Sequence, residues 1–317
     1  MQISYLFLVF ATLVDQPEAG SAPSEQSVVN DPVPEAQRSE SDSAIVVEGP
    51  PTVLERRREL RNMVAKVVNE PRPGRTVATY FDAICPQVRG LPEKESRVIE
   101  ARIRENAETL GANRRNPSRG CTPNVKVIFV PSSKGPADQW VTADNDMLDH
   151  LRSYQRTEVL NDPDPARAWT YVADRTADGG EFPKALRQRI DGPLDWSNSL
   201  RMVSRLTVAS TVEITQAVVM IEMAAAQDKT LGQLADYASM RTFGNTRSID
   251  PETTPAAPTI LKLFQDDNPP EELTTFDRAL VAKLYSTSRN SPQWRYLSNI
   301  ADRALTMEQT QQSAGTE

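Results

Sequence analysis

Histidine is nearly absent: the 317-residue chain has one, His150. That excludes a His-rich metal centre and an HExxH zinc motif, and it leaves a serine or cysteine nucleophile a single imidazole to use as its base. No GxSxG elbow supplies such a serine, and neither GxGxxG nor GxxxxGK[ST] occurs among the 13 glycines. A nucleophile elbow and the familiar phosphate-cradling loops are therefore unsupported. Basic residues are missing from the start, the first being Arg38, and after Val14 no apolar run is long enough to span a bilayer.

What the N-terminus does contain is an uncharged apolar run, Ile3 to Val14, twelve residues long. That length suits the hydrophobic region of a secretory signal and falls short of the roughly 20 residues of a membrane span. Ala19 and Ser21 stand at the two recognition positions for cleavage after Ser21, so residues 1–21 read as a signal peptide without the usual basic opening. From Asp15 to Ala44 there are seven acids, one arginine and four prolines. Such a stretch has almost nothing to bury, and residues 22–44 read as a disordered acidic linker.

The Asp15–Ala44 stretch holds most of the net charge of −7; without it residues 45–317 are close to neutral. Neither a nucleic-acid footprint nor a field for acidic substrates is indicated. Residues 45–305 form the expected folded region, one domain or two tightly packed subdomains, followed by a polar tail over 306–317.

Cys85 and Cys121 lie in loop-like, Pro-flanked contexts. In an oxidising compartment they are expected to pair, closing a ring worth about 4 kcal/mol in the loop-entropy account. Two unpaired thiols are the competing reading. Cys121 has no Cys or His at metal-ligand spacing, so no metal or cofactor is expected.

Periodicity and capping place the elements. Thr52 and Glu55 form a capping box ahead of Leu60, Met63, Val64 and Val67. Glu93 to Leu110 reads as a helix stopped by Gly111, and Val125 to Val130 as a buried strand ended by Pro131. Thr142 or Asp144 should cap a helix with Met147, Leu148, Leu151 and Tyr154 on its apolar side. Trp169 to Val172 reads as a short strand without an evident partner, Asp178-Gly179 as a tight turn, and Met202 to Val208 and Glu213 to Met223 as strands. Thr230 and Gln233 cap a helix ending at Gly244, and another begins at Thr274 or Thr275. Strands and helices mix without a regular βαβ rhythm, so the fold class is α+β.

Several charged clusters need weighing. His150 follows Asp144, Asp146 and Asp149, but the EF-hand glycine and closing glutamate are missing; an acid-rich first helical turn explains the cluster. Arg56-Arg57-Arg58 reads as a solvated helix face. Arg114, Arg115 and Arg119 could grip a phosphate or carboxylate. Glu213 and Glu222 lie nine apart on one strand, which puts them on opposite faces unless the strand is bulged.

The stretches Pro71 to Val77, Leu110 to Arg115, Pro123 to Val125, Leu231 to Ala238 and Leu273 to Leu280 resemble an uncharacterised family of exported alphaproteobacterial proteins. That resemblance covers most of residues 45–305 and carries no activity. More distantly, the order of a buried strand, a helix, an Asn-containing loop and the final Leu-Thr-Thr-Phe-Asp-Arg-Ala-Leu helix is similar to secreted zincin-like proteins of unknown function. There the helix after the strand bears a histidine and a glutamate. Here Leu231 to Phe243 has neither, only Asp236, so the resemblance implies a degenerate zincin-like fold whose metal site is gone.

Two functional expectations follow. The first is a non-enzymatic binding or envelope-associated protein, periplasmic or secreted, whose partner would be an envelope protein rather than nucleic acid. The second is a hydrolase using paired carboxylates drawn from Asp144, Asp146, Asp236 and Glu222, which requires two of them to converge within about 5–10 Å.

Overall fold

In the computed structural model, residues 51–69, 75–113, 121–131, 148, 151–162, 164–181 and 210–314 are described. The segments expected to be signal and linker, together with Arg114, Arg115, Arg119, Asp144, Asp146, His150 and the Met202–Val208 segment, lie outside them.

The first helix, α1 (Val53–Val67), begins where Thr52 accepts the Glu55 amide and Glu55 returns the bond, and it buries the four apolar residues that periodicity selects. Strand β1 (Pro86–Arg89) leads through α2 (Glu93–Thr109) to β2 (Val125–Val130). Helix α3 (Ser153–Asn161), the long strands β3 (Ala166–Thr176) and β4 (Ser210–Glu222), and one turn of helix, α4 (Met223–Ala226), come next. The chain continues through α5 (Leu231–Phe243), a 3-10 turn at Ile260–Lys262, α6 (Thr275–Ser286) and α7 (Gln293–Ala314). The class is α+β.

The four strands form one mixed sheet in the order β1-β2-β4-β3, with β1, β2 and β4 parallel and β3 antiparallel at the edge. One face carries the main core, to which α1, α2, α5, α6 and α7 all contribute. The other carries a small cluster in which Leu148, Leu151 and Val159 pack on Trp169, Val218 and Met220. Between β1 and α2, Gly90 takes φ +87°, and a Cβ there would lie 2.0 Å from the Phe129 carbonyl oxygen, so only glycine lets the chain pass β2.

A β-bulge interrupts the β3–β4 ladder: Tyr171 pairs with Gln216 and Val172 with Ile214, leaving Thr215 unmatched. Val212 and Ile214 before it and Ala217, Val219 and Ile221 after it therefore all face the main core. This corrects the expectation for Glu213 and Glu222. The extra residue puts both on the opposite side from that core, but nine residues of strand separate them by about 30 Å. Glu213 is buried and accepts a 2.5 Å bond from Arg175.

Three other expectations change. Most of the helix expected from Thr142 or Asp144 lies outside the described residues, and the residues of it that are described before α3 are not helical: Leu148 lies in a turn, Leu151 in a bend, and Arg152 is extended (ψ 153°) before α3 starts at Ser153. Both leucines are still buried in one cluster with Trp169. Tyr154 is half exposed rather than inward. The Trp169 to Val172 strand is longer than its apolar centre, because β4 pairs with all eleven residues.

The polar C-terminus is helical to Ala314 instead of frayed beyond Leu305. Two arginines of the supposed solvated face bind α7, and one of them holds the part beyond Leu305. Arg56 reaches Glu308 through Nε (3.0 Å) and Nη2 (2.8 Å), and Arg57 reaches Asp302, while Leu305 and Met307 pack on the core. No helix among the described residues is long and apolar enough to cross a membrane.

Cys85 and Cys121 form a disulfide with Cα atoms 6.2 Å apart. Asn124 pins the same corner: its Oδ1 accepts the Cys85 amide at 2.8 Å and its Nδ2 donates to Ala83.

Candidate ligand cleft

The chain beyond α5 turns sharply. A Cβ at Gly244 would lie 2.8 Å from the Met240 carbonyl oxygen, and Asn245 follows with φ 45°, a conformation asparagine tolerates better than most residues. The turn aims the Asn245 side chain at the chain just after α1 and at the sheet edge together. Its Oδ1 accepts from Asn69 Nδ2 (3.1 Å) and Thr170 Oγ1 (3.3 Å), and its carbonyl accepts the Asn69 amide (2.9 Å). Arg247 then donates its amide to the Val67 carbonyl at 2.8 Å, and its exposed side chain reaches the Val68 carbonyl through Nη2 at 3.5 Å.

This corner is one wall of a cleft of about 640 Å³; α3 and the Ala168–Val172 stretch of β3 form others. Four arginines, Arg75, Arg152, Arg241 and Arg247, line it against two carboxylates, Glu158 and Asp162. Arg75 is engaged by Asp174 at 2.8 Å. A second groove of about 610 Å³ shares Arg75, Arg152 and Val172 with the first and adds Lys126.

The floor is a buried polar network. Arg241, on the last turn of α5, donates from Nη1 to Tyr237 Oη (2.6 Å) and Ser248 Oγ (2.9 Å), and its Nη2 lies 3.6 Å from Asp162 Oδ2. Ser248 in turn donates to Asp162 Oδ2 at 2.7 Å. Burial works against the guanidinium charge, yet Tyr237, Asp162 and Asp164 around it hold it above the ordinary arginine value.

Asp164 is buried behind this layer and accepts from Gln265 at 3.4 Å. Burial pushes its carboxyl up to about 6, opposed by Arg241 and reinforced by the Asp162 charge. Asp164 Oδ1, Arg241 Nε and Gln265 Oε1 have no hydrogen-bond partner among the described residues.

The acids singled out from sequence go elsewhere. Asp236 is fully buried between α5 and α2, where four donors meet it: Arg102 Nε and Nη2, Asn106 Nδ2 and the Leu273 amide, all at 2.7–3.1 Å. Asp236 lifts the Arg102 guanidinium above its ordinary value. Glu222 ends β4, its amide bonded to Pro165, on the side of the sheet away from α5. Asp236 and Glu222 therefore do not converge. Among the described residues no group of three or more His, Cys, Asp or Glu could hold a metal ion.

Sequence reading missed Asp162, Asp164, Arg241, Asn245 and Arg247. The Asp162-Pro163-Asp164-Pro165 repeat and the polar Asn245-Thr246-Arg247-Ser248 run after Gly244 were the available signals. No family model, no curated protein and no solved structure matches the chain.

Proposed function

We propose that this is an exported, non-enzymatic binding protein of the periplasm or cell surface that holds an anionic partner in the β3–α3 cleft. The observation that carries the reading is the lining of that cleft: beyond the Arg75–Asp174 and Arg241–Asp162 pairs, Arg152 and Arg247 line it beside Glu158, on walls fixed by hydrogen bonds among Asn69, Thr170 and Asn245. Arginine suits such a task because its fork meets carboxylate and phosphate oxygens in pairs. The Cys85–Cys121 bridge supports an oxidising compartment, as does the resemblance to exported proteins. On this reading the envelope partner expected from the sequence is the anion. The scaffold would be a zincin-like one without metal, its Asp236 committed to Arg102.

The test is thermal unfolding of the disulfide-intact protein with citrate, inositol hexakisphosphate and poly-glutamate as probes. A ligand at about 100 times its Kd stabilises by about 2.7 kcal/mol, which is several degrees in Tm. The gain should shrink in an Arg152→Ala, Arg247→Ala double variant, and each probe should be recovered chemically unchanged. No stabilisation by any of the three, or turnover of one, would reject the reading.

A second reading, the carboxylate hydrolase, has one observation of its own: Asp164 is an acid with a raised pKa beside the Asp162 charge. It predicts hydrolysis of a chromogenic ester or glycoside with a pH limb near 6 that Asp164→Asn removes.

A further inference from the structure

The edge of β3 supplies a mode of binding. Among the described residues β3 pairs only with β4. Pro165 accepts the Glu222 amide and the Tyr171 carbonyl accepts Thr215 Oγ1 at 3.1 Å, so the odd-numbered positions turn their backbone groups toward β4. With the period of two in a strand, Ala168, Thr170 and Val172 turn their N–H and C=O groups outward. The Thr176 amide follows the same alternation, bonding Gly180 in the turn away from β4. Those three outward residues are among the ones that line the cleft. An open row of strand donors and acceptors along a cleft is a template for another strand.

The charges and walls fit one kind of strand. Arg152 and Arg247, beyond the paired Arg75 and Arg241, select acidic side chains, while Val172, 45% exposed, and Tyr154, 50% exposed, offer apolar surface to the residues between them. Ala168 to Val172 extends about 16 Å, room for about five peptide residues.

We propose that an extended acidic segment of a partner protein adds to β3 as a fifth strand of the sheet. This rests on the anion-binding reading of the cleft and specifies its ligand as peptide main chain plus carboxylates.

The experiment follows backbone amides of the disulfide-intact protein by NMR and hydrogen exchange, with three capped hexapeptides as probes. One alternates Glu and Thr, one alternates Lys and Thr, and the third is the Glu-Thr peptide N-methylated at alternate amides. The Glu-Thr peptide should shift the amides of Ala168, Thr170 and Val172 and slow their exchange about tenfold or more, with the Lys-Thr peptide binding at least about tenfold more weakly. N-methylation, which deletes main-chain donors, should cost about tenfold in affinity.

Edge amides already protected in the free protein would overturn the proposal. So would an acidic peptide that shifts Arg247 and Ser248 but binds equally well when N-methylated, an outcome that keeps the anion cleft. If neither that peptide nor citrate shifts any cleft residue, both readings fall.

Discussion

Arg102 of α2 and Asp236 of α5 are joined by two parallel hydrogen bonds, Nε to Oδ1 at 2.9 Å and Nη2 to Oδ2 at 3.1 Å. The same carboxylate takes Asn106 and the Leu273 amide, so one side chain fastens α2, α5 and the approach to α6. Asp236→Ala would strand these donors and should cost about 3–5 kcal/mol. Asp236→Asn keeps one acceptor and should cost about half that. Urea midpoints of the two variants check the order.

Asp164 makes stability depend on pH. Its carboxyl is raised from 3.8 to about 6, so between those values the folded protein binds a proton that the unfolded chain releases. Stability from this group is complete below pH 4 and is lost as pH rises to 6, about 2–3 kcal/mol in all. Asp277, also raised by burial, acts in the same direction. The difference in Tm between wild type and Asp164→Asn, followed from pH 4 to 7, should therefore grow in favour of the variant with rising pH.

Reduction of the Cys85–Cys121 bond opens a ring with a sequence separation of 36 and should lower stability by about 4 kcal/mol. Intact mass should rise by two hydrogens on reduction, and a Cys85→Ser, Cys121→Ser variant should reproduce the shift in urea midpoint.

Ending the chain at Leu305 removes Glu308 from Arg56 and Met307 from the core. The expected loss is about 1–3 kcal/mol by thermal unfolding. An unchanged Tm would mean that the last turns of α7 contribute nothing.

The elements that sequence reading recovers are those with local signatures. The capping boxes at Thr52, Thr230 and Thr274 are fixed within three residues, and the apolar runs of β2 and β4 announce burial without naming a partner. The four-residue β1 is invisible alone, since only its parallel pairing with β2 makes it a strand. Leu148 and Leu151 have helical spacing, but they pack with Trp169 from a turn and a bend. The cleft was least legible. Ser248 meets Asp162 across 86 residues, and Arg241 reads as an ordinary helical arginine until Tyr237 and Ser248 close over it.

Thr215, the unmatched residue of β4, bonds the Tyr171 carbonyl across the ladder at 3.1 Å. The strand is thus written in two reading frames, even-numbered inward before it and odd-numbered inward after it, with Thr215 as the splice. Removing that one residue is a frameshift in space. Either Val212 and Ile214 or Ala217, Val219 and Ile221 would turn away from the core, although no apolar side chain had been altered.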